Sequence, residues 1–536
     1  MREADYVIVG AGSAGCVLAN RLSEDPSVKV ILLEAGGKDR SPNIKIPAAF
    51  AEQFHTKLDW EYYTEPEPHC EDRKLYLPRG KSLGGSSSMN AMLYVRGRPL
   101  DYDLWKEQGA DGWGWDDVRP YFLKAENDER GASEHHGHGG PVNVQNQRSP
   151  RHVNKDFLEA AQAAGIPRCT DYNSPEQDGC DMFQVFQKNG RRWSAADAYL
   201  RPAMKRDNLE VITHATVQGL DVEGTRVTGV RYHGRRVGGG KSQTVRATRE
   251  VILAAGAFGS PHILLLSGIG PADHLREMGV PVKHDLPGVG QNLQDHPFIT
   301  MLYEMSDTHS LYKADAPKNL AEWVLRRSGP LSSTVAESVA FVRTRPGLPA
   351  ADIQFHVGAA YFERHGEEEY DGHCFVIAPT LLTPKARGRL WLRSTDPSVH
   401  PRIITNTLSE PEDVASMLAG MKLAREIVGT APLSRKIVKH LKPSSDIVSD
   451  EDVIEHLRRR VELIYHPVGT CRMGQDDLAV VDPETRVRGL DGLRVVDASV
   501  MPVITGGNTN APTMMIAERA ADLIKGRTPA LAGAAG

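Results

Sequence analysis

The feature that most constrains this chain is the run Gly10-Ala11-Gly12-Ser13-Ala14-Gly15, set between an apolar stretch and a stretch with small and apolar residues on one face. Asp5 to Gly10 reads as a buried strand, Ala14 to Leu22 as a helix and Val28 to Glu34 as a second strand, so the three form a βαβ unit. Glycines at this spacing permit a tight turn and bring backbone N–H groups and a helix N-terminus up to a pyrophosphate. An acid closing the next strand, here Glu34, meets ribose hydroxyls. The motif alone is weak, but strand, helix and acid in register point to dinucleotide binding. FAD and NAD are not separated by it.

Other segments extend the same domain. The apolar run Glu250 to Ala255 leads into Gly256 and the helix-like segment Pro261 to Leu266, and Leu493 to Val496 is a short strand ending at Asp497. Between about Thr300 and Leu441 the pattern changes to short alternating runs, such as Asp352 to Val357 and Arg389 to Leu392, broken by Pro and Gly. That pattern predicts an antiparallel sheet with helices, inserted as a substrate domain. A chain of 536 residues exceeds what one core serves, which agrees with this division.

Composition excludes several classes. With 40% hydrophobic and 25% charged residues the chain is neither disordered nor fibrous. A net charge of -5 with scattered Lys and Arg argues against nucleic acid as a partner. Six cysteines, Cys16, Cys70, Cys169, Cys180, Cys374 and Cys471, lie far apart without a C-x-x-C pair, which predicts neither a disulfide framework nor a zinc ribbon and suits a cytoplasmic location. No signal-type N-terminus and no run of about 18 apolar residues occurs, so a transmembrane segment is not expected, while peripheral contact with the inner membrane stays open. The Ala/Gly-rich stretch Ala530 to Gly536 reads as a frayed terminus.

Three further segments carry candidate chemistry. Pro78 to Asn90, including Gly84-Gly85-Ser86-Ser87-Ser88-Met89-Asn90, is dense enough in Gly and Ser to approach a ligand closely, or to be a flexible surface loop. Gly256-Ala257-Phe258-Gly259-Ser260-Pro261 is either a ligand loop or simple strand-to-helix packing. Tyr465-His466-Pro467-Val468-Gly469-Thr470 offers a histidine, and a single histidine is more often structural than catalytic. Downstream, Asn508-Thr509-Asn510-Ala511-Pro512 reads as a helix N-terminus with an apolar face of Met514, Met515, Ala517, Ala521 and Leu523 behind it, and such an end stabilises an anion.

Taken in order, these four segments resemble the glucose-methanol-choline (GMC) family of flavin oxidoreductases, over Tyr6 to about Ile524 and with greatest likeness to its choline-dehydrogenase-like and bacterial alcohol-dehydrogenase branches. The resemblance implies an α/β fold: a Rossmann-like FAD-binding domain, residues 1–155, 195–300 and 450–528, with an inserted α+β substrate domain built on an antiparallel sheet, residues 156–194 and 301–449. It implies FAD, with pyrophosphate at Gly10, Gly12 and Gly15, Glu34 on the ribose and Val217 pairing with adenine. Gly85, Ser86, Asn90 and Met92 then lie along the flavin, Asp497 and Ala498 near the pyrophosphate and ribityl chain, and Asn510 at the helix end beside the ring. The family's catalytic pair falls on His466 and Asn508. A hydride leaves a carbinol carbon readily only as the hydroxyl proton departs, so a base is required; His466 suits that role, and Asn508 can donate to the same oxygen.

Departures from the family pattern refine the expectation. Where covalent members carry a flavin-linked His, this chain has Met89, which implies non-covalent FAD. Choline-oxidising members place a Glu after the segment matching Asp295-His296-Pro297; here the residue is Phe298, which argues against choline despite the attraction of an aromatic face for a cation. His356 matches a pocket histidine of the choline-oxidising members and equally fits a structural role in its strand. The expected activity is thus FAD-dependent oxidation of a primary alcohol, aliphatic or aromatic, with oxygen or a quinone or carrier as acceptor. Choline oxidation and hydroxynitrile lyase chemistry are the alternatives, and oligomerisation is open. His135, His136 and His138 read as a solvated loop with no metal, the run Glu367 to Glu369 as a solvated loop tip, and Phe355, Tyr361 and Phe362 as core or substrate wall.

Overall fold

The computed structural model describes residues 2–234 and 242–527; Ala530 to Gly536, expected to fray, lie outside them. The N-terminal strand Arg2–Val9 pairs in parallel with Val30–Glu34 on one side and with Ser242–Leu253 on the other. Leu209–Thr213 continues the parallel set beyond Val30–Glu34. Val7, Ile8, Ile31, Leu32, Val251 and Ile252 are fully buried, because helices cover both faces of a parallel sheet and its strands become continuous apolar runs.

Ser242–Leu253 holds this seven-stranded sheet together in an unusual way. Its first half pairs antiparallel with Arg226–His233, which turns back onto Thr216–Glu223, and its second half pairs in parallel with Leu493–Val495. One twelve-residue strand therefore joins the nucleotide-type sheet, an antiparallel extension and the C-terminal part of the chain.

A second, eight-stranded sheet is antiparallel throughout. Its main path runs Ile437–Lys442, Met301–Met305, Cys374–Leu381, Ile353–Gly358, Ser338–Val342 and Gly179–Met182, with Pro297–Phe298 and Glu462–Leu463 added at one side. Helices Val153–Ala163, Pro411–Gly429 and Asp450–Arg460 supply its separate core, which includes Phe157, Phe355, Met417 and Leu457. The α/β architecture with two sheets agrees with the expectation. Two details differ: Asp450–Arg460 and Glu462–Leu463 pack with this second sheet, although their segment was expected beside the first, and Arg389–Trp391 forms a separate two-stranded ribbon with Arg402–Ile404. Short alternating runs state a period and not a partner, so neither placement was available from pattern alone.

The chain ends are locked to each other. Helix Ser13–Leu22 packs against helix Asn510–Ile524, and the Arg21 guanidinium holds the fully buried Glu518 carboxylate through Nε and Nη2 at 2.9 and 2.7 Å. Burial opposes ionisation of Glu518, but these bonds keep its carboxyl below the usual range. Lys124 Nζ completes the cluster at 3.1 Å. Removing one partner of a buried pair strands the other. Arg21→Ala, which leaves Lys124 alone against Glu518, is therefore expected to destabilise the fold by about 3 kcal/mol, read from the shift in the urea unfolding midpoint.

Candidate active site

One continuous cavity runs between the two sheets. Gly10, Gly12, Ser13, Glu34, Val217 and Ala255 line one end, and Phe298, His356, Tyr465, His466 and Asn508 line the other.

Backbone crowding shapes the first end. Gly10 has φ +100°, and a Cβ there would meet the Ala254 carbonyl oxygen at 2.5 Å; at Gly15 it would lie 1.8 Å from the Gly10 carbonyl oxygen. Gly12 differs: the nearest atom to an added Cβ is 4.0 Å away, so the methyl would stand in the cavity. Gly15 does not line the cavity. It lets the helix approach the strand. Glu34 is 5% exposed and accepts hydrogen bonds from Ala11 N–H at 2.8 Å and Gly36 N–H at 2.7 Å. Burial pushes its carboxyl up to about 7.

The Gly/Ser segment is a packed wall and not a flexible surface loop. Gly85 (φ +51°) sits where a Cβ would come within 2.7 Å of Gly12 Cα, and Ser86 Oγ accepts from Gly80 N–H at 3.2 Å. Asn90 Oδ1 accepts from Met92 N–H at 3.0 Å and Arg192 Nη1 at 2.8 Å, which fixes the turn through Met92 (φ +61°). Met89 also lines the cavity. Asp497 is fully engaged: its carboxylate accepts from Gly256 N–H, the Ser260 hydroxyl, and the N–H and hydroxyl of Ser499. It holds two loops together, while Ala498 beside it faces the cavity. Asn510 is the first residue of its helix, and its Oδ1 accepts from Ser13 Oγ at 2.7 Å.

At the other end a hydrogen-bonded chain crosses the site. Gln354 Nε2 donates to Asn508 Oδ1 at 3.3 Å, Asn508 Nδ2 lies 3.2 Å from His466 Nε2, and His466 Nδ1 lies 2.9 Å from His296 Nδ1. With the Asn508 amide group turned this way, Nδ2 donates and His466 Nε2 accepts, so the His466 proton sits on Nδ1 and points at His296. Asp295 Oδ1 accepts from both the His466 and His296 N–H groups at 2.8 Å, pinning the two backbones. Burial first, then the neighbouring His296, His356 and Arg79, holds His466 well below 6.5. Tyr465 has φ +70°, a strained conformation that Arg79 Nη2 braces by donating to its carbonyl oxygen at 2.6 Å. His356, likewise lowered to about 3 by burial, meets Thr380 Oγ1 at 3.0 Å through Nδ1, while its Nε2 has no protein partner. The walls here are aromatic: Phe50, Phe54, Phe298, Phe362 and Tyr465 form edge and tilted contacts at 5.8 to 6.5 Å. Of the acids lining the cavity, Glu34 and Asp497, neither lies at this end.

Sequence reasoning missed His296, Asp295, Arg79 and Gln354. The Asp295-His296-Pro297 segment was visible, but nothing local shows that it faces a residue 170 positions away. Phe355 is core, Phe362 lines the cavity, and Glu367 and Glu368 contact His55 and Lys442 and are not simply solvated. His136 also departs from the solvated loop expected. It is 7% exposed, with Nδ1 3.1 Å from Glu126 and Asp128 and Nε2 3.1 Å from Asp171. Burial opposes its charge, but the bonds to Asp171 and Glu126 lift it to about 9. Its imidazolium and Arg96, which also pairs with Glu126, provide the positive charge these carboxylates need. The acids come from positions 8, 10 and 35 residues away, on other elements of the chain.

Comparison with known proteins finds one family along most of the chain. Family profiles described as GMC oxidoreductase match residues 4–298 and 384–517. An alcohol dehydrogenase (acceptor) of Pseudomonas putida is 43% identical over 97% of this chain and 95% of its own length. An oxygen-dependent choline dehydrogenase of Rhizobium etli is 42% identical over 98% and 96%. Among solved structures, pyridoxine 4-oxidase from Mesorbium loti superposes with a TM-score of 0.89 at 33% identity, covering 98% of this chain and all of that one.

The glycines separate fold from ligand. Gly15→Ala, whose methyl collides with backbone, is expected to lower the melting temperature of the protein without its dinucleotide, since such overpacking costs about 1 to 3 kcal/mol or more. Gly12→Ala should leave that melting temperature unchanged while abolishing dinucleotide retention, read from absorbance after desalting.

Proposed function

The chain belongs to the GMC oxidoreductase family, FAD-dependent enzymes acting on alcohols, and from that premise we propose that it oxidises a neutral primary alcohol to its aldehyde with His466 as base. The cradle suits FAD: Gly12 leaves room that any side chain would fill, and Glu34 and Val217 line the same cavity, where they would hold the ribose and the adenine. When bound, FAD supplies the hydride acceptor, its N5. Met89, a thioether at the position where covalent members carry a histidine, supports non-covalent binding.

The observation that carries the reading is the orientation of His466. Asn508 donates to Nε2 and His296 takes up Nδ1, so the lone pair needed for proton abstraction already faces the cavity. A substrate hydroxyl entering there would give its proton to Nε2 and accept from Asn508 Nδ2, which would turn from the imidazole to the oxygen. His466 then holds the proton at Nε2 while the C–H hydride departs. Burial keeps the imidazole neutral beforehand, and proton uptake is driven by the reaction itself. Asn510, at the positive end of its helix, lines the cavity and would stabilise negative charge on a reduced cofactor held there.

The aromatic walls favour an aliphatic or aromatic chain. Choline is disfavoured because no carboxylate lines this end of the cavity among the described residues; the ring of Phe298 offers a cation only about 0.5 to 2 kcal/mol. Anaerobic mixing of the holoenzyme with a panel of neutral alcohols and choline tests the reading. Bleaching of the oxidised flavin band by a neutral alcohol is expected; a fully loaded flavin that no alcohol bleaches would favour lyase chemistry.

His466→Ala is expected to retain flavin while reducing it about a hundredfold more slowly or worse. Because His466 is held well below 6.5, its base form persists on acidification, so the wild-type reduction rate should stay level as pH falls through 6.5 and decline only at more acidic values. A decline centred on an ordinary histidine value would remove the base role or its buried environment. Acid precipitation should release all flavin into the supernatant.

A further inference from the structure

Helix Pro317–Arg326 presents the wrong face to water. Pro317, Leu320, Ala321, Val324 and Leu325 follow the i, i+3, i+4, i+7, i+8 spacing by which a helix lines a core, yet all five are exposed. Leu320, Val324 and Leu325 are 44%, 51% and 82% exposed, and only Trp323, on the opposite side, is buried, with its indole N–H donating to the Gly190 carbonyl oxygen at 2.9 Å. Cations accompany the stripe: Lys318 and Arg326 on the helix and Lys313 just before it are exposed, while the Arg327 guanidinium stacks on the Trp323 ring, 4.4 Å from its centre. Of the two acids nearby, Asp315 and Glu322, the latter accepts from Ser328 Oγ at 3.1 Å.

An exposed apolar stripe with a basic rim, on a chain of net charge -5, is built for one kind of surface. We propose that helix Pro317–Arg326 seats the protein on an anionic lipid surface, Leu320, Val324 and Leu325 entering the acyl boundary and Lys313, Lys318 and Arg326 meeting acidic headgroups. A second copy of this chain is a poorer occupant. A two-fold contact would set the cations against their own copies, and a ten-residue helix, about 15 Å long, falls short of the ~800 Å² per partner that a stable interface buries. Beyond the helix the chain runs through the short turn Pro330–Ser332 into Thr334, Val335 and Ala336, which line the cavity. Seating it would bring one wall of the cavity towards the lipid, where a membrane-dissolved alcohol or electron acceptor is concentrated.

The test is flotation of the holoenzyme with vesicles of phosphatidylcholine, with and without phosphatidylglycerol. The wild type should float with the anionic vesicles and be released by salt. Val324→Ser/Leu325→Ser and Lys318→Glu/Arg326→Glu should each weaken binding about tenfold or more. Their melting temperature and flavin reduction by a soluble alcohol should not change, because every altered side chain is exposed. A wild type that stays in solution with both compositions, or variants that float as it does, would overturn the proposal. So would light scattering that shows a dimer which Val324→Ser/Leu325→Ser converts to a monomer.

Discussion

The site depends on how closely three backbones approach one another. Gly10, Gly15 and Gly85 stand where a single carbon would strike a neighbouring main chain, at 2.5 Å from Ala254, 1.8 Å from Gly10 and 2.7 Å from Gly12. Strand, helix and the Gly/Ser wall therefore share a volume that side chains would divide. The space saved is the cavity, and Gly12, which nothing crowds, opens directly onto it.

Buried carboxylates do the fastening around that space. Glu34, Asp295 and Asp497 each accept from backbone N–H groups of separate segments. Burial pushes all three carboxyls up, so these bonds operate against a desolvation cost that ordinary surface loops never meet. The return is position: His466 cannot turn without breaking the Asp295 bonds or the contact with His296.

Much of this was legible in the chain. The βαβ unit emerged within three residues of its borders, because buried parallel strands read as unbroken apolar runs and the glycines between them have few other uses. The antiparallel second sheet was legible as a type, from alternating runs, but not in its pairing. What stayed hidden depends on contacts between distant residues: His296 against His466 across 170 positions, Asn508 under Gln354 across 154, and the carboxylates gathered around His136. Spacing rules describe neighbours along one element, and each of these pairs joins two.

The locking of the two ends of the chain also sets an order of events during synthesis. Ser13 bonds Asn510 and Arg21 bonds Glu518, each across 497 positions, and Leu493–Val495 is the last strand of the first sheet. The glycine turn leaves the ribosome 497 residues before the helix that closes over it, and well before the asparagine that meets His466. Until then the nascent chain carries an open, largely apolar sheet edge, and the second sheet, drawn almost wholly from the middle of the chain, can form first. The contact between His466 and Asn508 is thus made only after the strands of both sheets have been synthesised.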